Sequence, residues 1–170
     1  MKPIFILIYF LFIFGISVKA QVKEAFTEKE LPSIELKTLT GESVNIRDYV
    51  GKGKVTVVNF WATWCGPCKQ ELNSIAEIYD YWQEDYDMEL VAVSIDDSRN
   101  TGKVKSMVNG SGWEYIILLD ANRDLQRALN FQMPPYTVLT DQKGKIVSVH
   151  SGYKPGDEFI LEDKIKALMK

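Results

Sequence analysis

The chain has 170 residues, 46% of them hydrophobic and 12% aromatic, enough apolar material for the core of one ordinary domain, which excludes a disordered protein. Its formal net charge is −3, with neither sign drawn into a long block or a basic face, which argues against a nucleic-acid partner. Two cysteines are too few for a scaffold stapled by several disulfides.

Lys2 is followed by the apolar run Pro3 to Val18, with small residues Val18 and Ala20 just before Gln21, the pattern of a secretory signal peptide over residues 1–20. The run has 16 residues, short of the roughly 20 that cross a bilayer, and an uncleaved, tilted anchor is the alternative reading. No cysteine ends the segment, which excludes a lipid anchor at that point. Removing it takes away Lys2 and Lys19 and leaves a net charge of −5. The expected setting is therefore exported and periplasmic. Residues 21–30 are polar and read as a tail or linker, and one domain is expected over 31–170.

Within that domain, "SIELKTL" and "TGESVNI" alternate apolar and polar residues around Thr40-Gly41, a hairpin signal. Val55 to Phe60 and Leu90 to Ile95 are nearly continuous apolar runs, as expected of central strands covered on both faces. Between them Leu72, Ile75, Tyr79 and Trp82 recur at helical spacing and predict one amphipathic helix crossing from strand to strand. Next come a helix over "RNTGKVKSMVNG" ending at Gly110, a strand "YIILL" and a short helix "NRDLQRALN". "YTVLT" and "KIVSVHS" flank "DQKG" as an antiparallel hairpin, and Leu161, Ile165 and Leu168 mark one face of a C-terminal helix. The order implies an α/β domain with a mixed sheet and helices on both faces.

Both cysteines fall in "NFWATWCGPCKQEL", between a buried strand and a helix. A bridge that encloses two residues restricts the unfolded chain very little, so a stabilising role is a poor explanation of the pair. A structural zinc site needs four ligands, and beyond the pair the chain offers one histidine, His150, in a predicted strand. Inert buried thiols are the third dull reading, opposed by the location at a strand's end. At a helix N-terminus unpaired N–H groups and the macrodipole favour a negative sulfur, so the Cys65 thiol is expected to be acidic. Lowering a thiol pKa from about 8.5 to about 7 raises the thiolate fraction at neutral pH from a few per cent to roughly half. Pro67 suits the first helical turn, and Cys68 lies one turn on, close enough to resolve a mixed disulfide. The pattern is that of a redox-active disulfide that needs no other cofactor and no metal.

"VVNFWATWCGPCKQEL" with "PPYTVLTDQKGKI" downstream resembles the thioredoxin-fold proteins, and within them the exported TlpA/ResA-like thiol-disulfide oxidoreductases, over about Leu31 to Lys170. The resemblance implies a thioredoxin core with an added N-terminal β-hairpin and an insertion before the cis-proline strand, for which the 67 positions from Cys68 to Pro135 leave room. It implies reduction of protein disulfides, with Cys65 attacking, Cys68 resolving and a membrane thiol reductant restoring the pair. Cytochrome c apoproteins are the substrate that it suggests. In the family a cis-proline faces the cysteines and positions substrate, and counting back from "GK" selects Pro135 over Pro134. Trp64, Gly66, Pro67 and Tyr136 complete the expected substrate-binding set.

The chain departs from this pattern in several places. The residue before the cis-proline usually lends N–H and C=O to an incoming peptide, but Pro134 has no N–H, which predicts weaker docking of extended peptides. Tyr136 replaces the commoner Thr and is read either as a partner contact or as core-edge packing. Thioredoxins place a buried aspartate six residues before the first cysteine, where this chain has Asn59, which cannot titrate. Glu71 matches a glutamate of the ResA-like branch, and its spacing puts it on the side of Cys68 as a proton acceptor; the alternative is an exposed first-turn glutamate. Asn73 stands where many relatives have a proline, which puts the usual helix kink in doubt.

Phe60 and Trp61 read as core, Lys69 as either an aid to a thiolate or a solvated lysine, Asp96-Asp97 as a polar turn rather than a metal site, and His150 receives no role. Two other functions compete with disulfide reduction. A peroxiredoxin-like peroxidase would share the hairpin and much of the fold, and a non-enzymatic metal carrier would use the two thiols alone.

Overall fold

The computed structural model describes residues 29–169. The expected signal or anchor over 1–20, and all but the last two residues of the 21–30 tail, lie outside that range. Those last two are tied to the domain: the Lys29 carbonyl accepts from Ile146 N–H at 2.9 Å and Glu30 bridges Lys145 in antiparallel fashion. Among the described residues no helix is long and apolar enough to cross a membrane.

Seven strands form one sheet. In chain order they are β1 (Glu35–Thr38), β2 (Ser43–Asn45), β3 (Thr56–Trp61), β4 (Glu89–Ser94), β5 (Ile116–Leu119), β6 (Tyr136–Thr140) and β7 (Ile146–Ser151), and across the sheet they run β2-β1-β5-β4-β3-β6-β7. β3 to β5 are mutually parallel and every other pair is antiparallel. The hairpin expected around Thr40-Gly41 is β1–β2, with Leu36 opposite Val44. Every residue of β3 is buried. Successive strand residues point to opposite faces, so both sides of this strand are covered, which its unbroken apolar run requires.

Among the described residues five α-helices flank the sheet: α1 (Gly66–Ala76), α2 (Tyr79–Tyr86), α3 (Thr101–Ser111), α4 (Asp124–Leu129) and α5 (Asp157–Leu168). α1, α2 and α5 touch one another. α3 and β5 lie between β4 and β6, the stretch in which an insertion was expected, and β5 seats itself between β4 and the N-terminal hairpin.

Two expectations need correction. The crossing from β3 to β4 is two helices rather than one, with the break at Glu77 and Ile78. Asn73 continues α1, and its side chain accepts from Trp113 Nε1 at 2.9 Å. At the end of α1 the Ile78 N–H turns back to Ile75, three residues earlier, while the Tyr115 hydroxyl takes the Leu72 carbonyl at 2.7 Å. The first is a local turn and the second a tertiary partner for a carbonyl of the last turns of α1. The second correction concerns α3, which runs through Gly110 and ends at Gly112, whose φ of 65° supplies the left-handed cap.

Candidate active site

β3 ends at Trp61 and the chain turns through Ala62 to Cys65, with Cys65 N–H bonded to the Ala62 carbonyl at 3.0 Å. The turn is anchored from below. The buried Asp96 carboxylate accepts from the Thr63 N–H and hydroxyl, both at 2.8 Å, and from the Ser94 hydroxyl at 2.9 Å. Sequence reading treated Asp96 as part of a polar turn, whereas it pins the loop that carries the first cysteine. Among the described residues no group of three or more His, Cys, Asp or Glu could hold a metal ion.

Cys65 is the N-cap of α1 and forms a disulfide with Cys68, their Cα atoms 5.4 Å apart. Its sulfur accepts from the Cys68 N–H at 3.2 Å, so a backbone donor at the helix mouth already points at the atom that would carry negative charge after reduction. Pro67 occupies the first turn, where its missing N–H costs nothing. Cys68 is fully buried, and Cys65 is 5% exposed, between the exposed Gly66 and Pro67 and a Trp64 that is 49% exposed. Phe60 and Trp61 are core.

The Pro134–Pro135 peptide bond is cis. Tyr136, the next residue, lies opposite Phe60 in the β3–β6 ladder, which sets Pro135 at the same end of the sheet as the cysteine turn. The Pro135 carbonyl accepts from Gly152 N–H at 2.8 Å. Both prolines are buried, while Met133 just before them is 62% exposed. Gln126 Nε2 donates to the Phe131 and Gln132 carbonyls at 3.3 and 3.0 Å and holds the approach to the prolines. The Tyr136 ring stacks on Phe131 with centroids 4.3 Å apart and is half-buried, which leaves part of it open to a partner.

Glu71 is not the exposed first-turn glutamate of the alternative reading; it is 4% exposed. Its Oε1 accepts from the Thr137 hydroxyl at 2.9 Å, and Thr137 in turn accepts from Asn59 Nδ2 at 2.9 Å. Glu71 Oε2 has no hydrogen-bond partner within the described protein. Burial pushes the Glu71 carboxyl above the usual range, with hydrogen bonding from Asn59 and Thr137 and the charge of His150 pulling the other way. Thr137 was missed by sequence reading. Asn59, at the position of the titrating aspartate in thioredoxins, is thus joined to a carboxyl supplied by another element.

A disulfide at a helix mouth, with a buried carboxyl one turn further along the same helix, is chemistry for exchanging disulfides in a thioredoxin-like fold. The known proteins that this chain resembles agree. It is 31% identical over 131 residues to the thiol-disulfide oxidoreductase ResA of Bacillus subtilis (strain 168), covering 76% of this chain and 70% of that one. The solution structure of an uncharacterized thioredoxin-like protein from Porphyromonas gingivalis matches at 42% identity with a TM-score of 0.73, over 82% of this chain and 91% of that one. The crystal structure of a putative thiol:disulfide interchange protein DsbE from Chlorobium tepidum matches at 27% identity with a TM-score of 0.73, over 84% and 97%. A model described as the AhpC/TSA family covers residues 27–149, and the chain belongs to that family. It is a thiol-disulfide oxidoreductase.

Proposed function

We propose that this chain reduces protein disulfides outside the cytoplasm. The Cys65 thiolate attacks one sulfur of a substrate disulfide, forming a mixed disulfide and releasing the other substrate sulfur as a thiolate. Cys68 gives its proton to the Glu71 carboxylate and attacks the Cys65 sulfur. The second substrate thiolate leaves, and two electrons have passed from the pair to the substrate. The Cys65–Cys68 disulfide is the redox group, and a membrane thiol reductant returns it to the dithiol. Trp64, Gly66 and Pro67 provide the surface beside the sulfur, with Pro134, Pro135 and Tyr136 across from it.

The observation that carries this reading is the buried Glu71, which lies on the same helical face as Cys68 and one turn from it. The names of the relatives support the exchange chemistry, and the apolar segment after Lys2 supports export. Disulfide-bearing proteins are the partners, with cytochrome c apoproteins the first to test. A Cys68→Ala variant is expected to hold its partner as a stable mixed disulfide that reducing gels release. A redox potential near −120 mV, at the strongly oxidising end of the range, would reverse the direction. Rapid peroxide turnover by the reduced protein would replace exchange with a peroxidase reading.

A further inference from the structure

We propose that the proton Glu71 takes from Cys68 leaves the protein through His150, which with Asp157 forms the solvent end of a cleft between the sheet and α5 that Glu71 and Thr137 also line. This rests on the reductase reading above and extends it to a residue that touches no reacting sulfur.

The geometry is a row across three strands. Asn59 on β3 lies opposite Thr137 on β6, and Thr137 lies opposite His150 on β7. Residues directly opposite in antiparallel pairs point to the same face, so all three side chains stand on one side of the sheet. That side is the one Glu71 approaches, because Thr137 bonds its carboxyl. Glu71, Thr137 and His150 line one cleft, closed on the other side by α5. Its volume of about 40 Å³ is room for a water or two. Glu71 Oε2, buried and unpartnered, is free to exchange its proton with such a water.

The other titratable groups around the cleft are committed elsewhere. From α5, Glu158 Oε2 accepts from the Tyr153 hydroxyl and Gly156 N–H, both at 2.9 Å, and Lys164 donates to Ser148 at 2.9 Å. The Tyr153 hydroxyl also bonds Ser74, and burial raises its pKa further from neutrality. Tyr115, whose charge would also act on Glu71, is held above its ordinary range by burial and donates to Leu72. Asp157 accepts from Lys154 N–H at 2.8 Å and lies 3.3 Å from His150 Nε2. Histidine is the side chain that gains and loses a proton between about pH 5 and 8, and His150 is the only histidine in the chain. Its side chain is 47% exposed, so one end of the ring meets bulk water.

The transfer balances simply. Protonated Glu71 and neutral His150 become the Glu71 carboxylate and an imidazolium paired with the Asp157 carboxylate, and the imidazolium then releases its proton to water. A positive charge on His150 lowers the proton affinity of Glu71, so the two groups hold the proton in turn.

The test follows decay of a mixed disulfide between Cys65 and a small disulfide-bearing protein, in single turnover, across a pH series. His150→Gln is expected to slow decay about tenfold near pH 7 and to remove one inflection from the profile, a modest share of the roughly hundredfold or more that proton transfer can supply. Added imidazole is expected to restore the rate of His150→Ala, and Asp157→Asn to shift the profile in the same direction as His150→Gln. Alkylation of Cys65 and the thermal midpoint of His150→Gln should stay as in the unaltered protein. A His150→Gln profile that superimposes on the unaltered one overturns the proposal, as does a slowed His150→Ala that ignores imidazole. Unaltered protein that forms no mixed disulfide with any substrate takes down the reductase reading itself, whereas normal turnover with an indifferent His150 removes only this inference.

Discussion

Thr137 receives a hydrogen bond from Asn59 Nδ2 and passes one on to Glu71 Oε1, each 2.9 Å long, so its single hydroxyl couples the strand before the cysteines to the helix after them. Every member of this chain of contacts is buried. At its Glu71 end one buried carboxyl oxygen has no protein partner, which makes the ionised form costly there.

Glu71→Gln is expected to slow resolution of the mixed disulfide by at least tenfold, because an amide accepts no proton from Cys68. The same change should stabilise the fold at neutral pH. Burial raises the Glu71 pKa in the folded state above its ordinary value of 4.5, so folding favours the protonated form. Its stabilising contribution is therefore present below about pH 4.5 and is lost as pH rises through the folded value. Urea midpoints of the variant and the unaltered protein should converge near pH 4 and separate, with the variant ahead, toward pH 8. A gap that widens in acid instead would contradict the sign.

Thr137→Val keeps the shape of the side chain and removes the hydroxyl. Asn59 Nδ2 then loses its acceptor and Glu71 its donor, at a cost of about 1–3 kcal/mol. With the Thr137 hydrogen bond that pulls it down gone, the Glu71 pKa should rise further. Carboxyl carbon NMR titration reads this directly, and an unmoved Glu71 would dismiss the coupling.

Asp96→Asn withdraws a charged acceptor from the Thr63 backbone and from two hydroxyls. Loss of about 2 kcal/mol is expected. The cysteine turn should also loosen, so iodoacetamide should alkylate reduced Cys65 at a changed rate. Unchanged stability together with unchanged alkylation would return Asp96 to the role of an ordinary polar turn.

Pro134→Ala supplies the N–H that an extended peptide would seek beside the cis bond. The KM for peptide disulfides is expected to fall several-fold with kcat little altered, since uniform binding improves without touching the chemistry. An unchanged KM would mean that docking does not use this backbone position.

Much of this was legible because it is local. The apolar runs at Val55 and Leu90 specify buried strands wherever they sit, and "CGPC" before a helical pattern specifies its own N-cap. What depends on distant partners was not legible. The break after Ala76 is fixed partly by the Tyr115 hydroxyl, far along the chain, and no proline marks it. The role of Asp96 requires knowing that β4 ends beside the turn after β3. The row of Asn59, Thr137 and His150 exists only through the register of two antiparallel ladders. Glu71 is an intermediate case. Cys68, Glu71, Leu72 and Ile75 fall on one helical stripe, and that spacing carried the sign that the glutamate points inward.

The bridge between Glu30 and Lys145 has a directional consequence. β7 begins beside it at Ile146 and, with its six residues, reaches Ser151, which pairs with Tyr136 at the cysteine end of the sheet. A strand of that length covers about 20 Å. Whatever precedes residue 29 therefore joins the domain at the pole opposite the reacting sulfur. A leash at that pole would leave the sulfur facing outward, clear of its own mooring and open to a folded client.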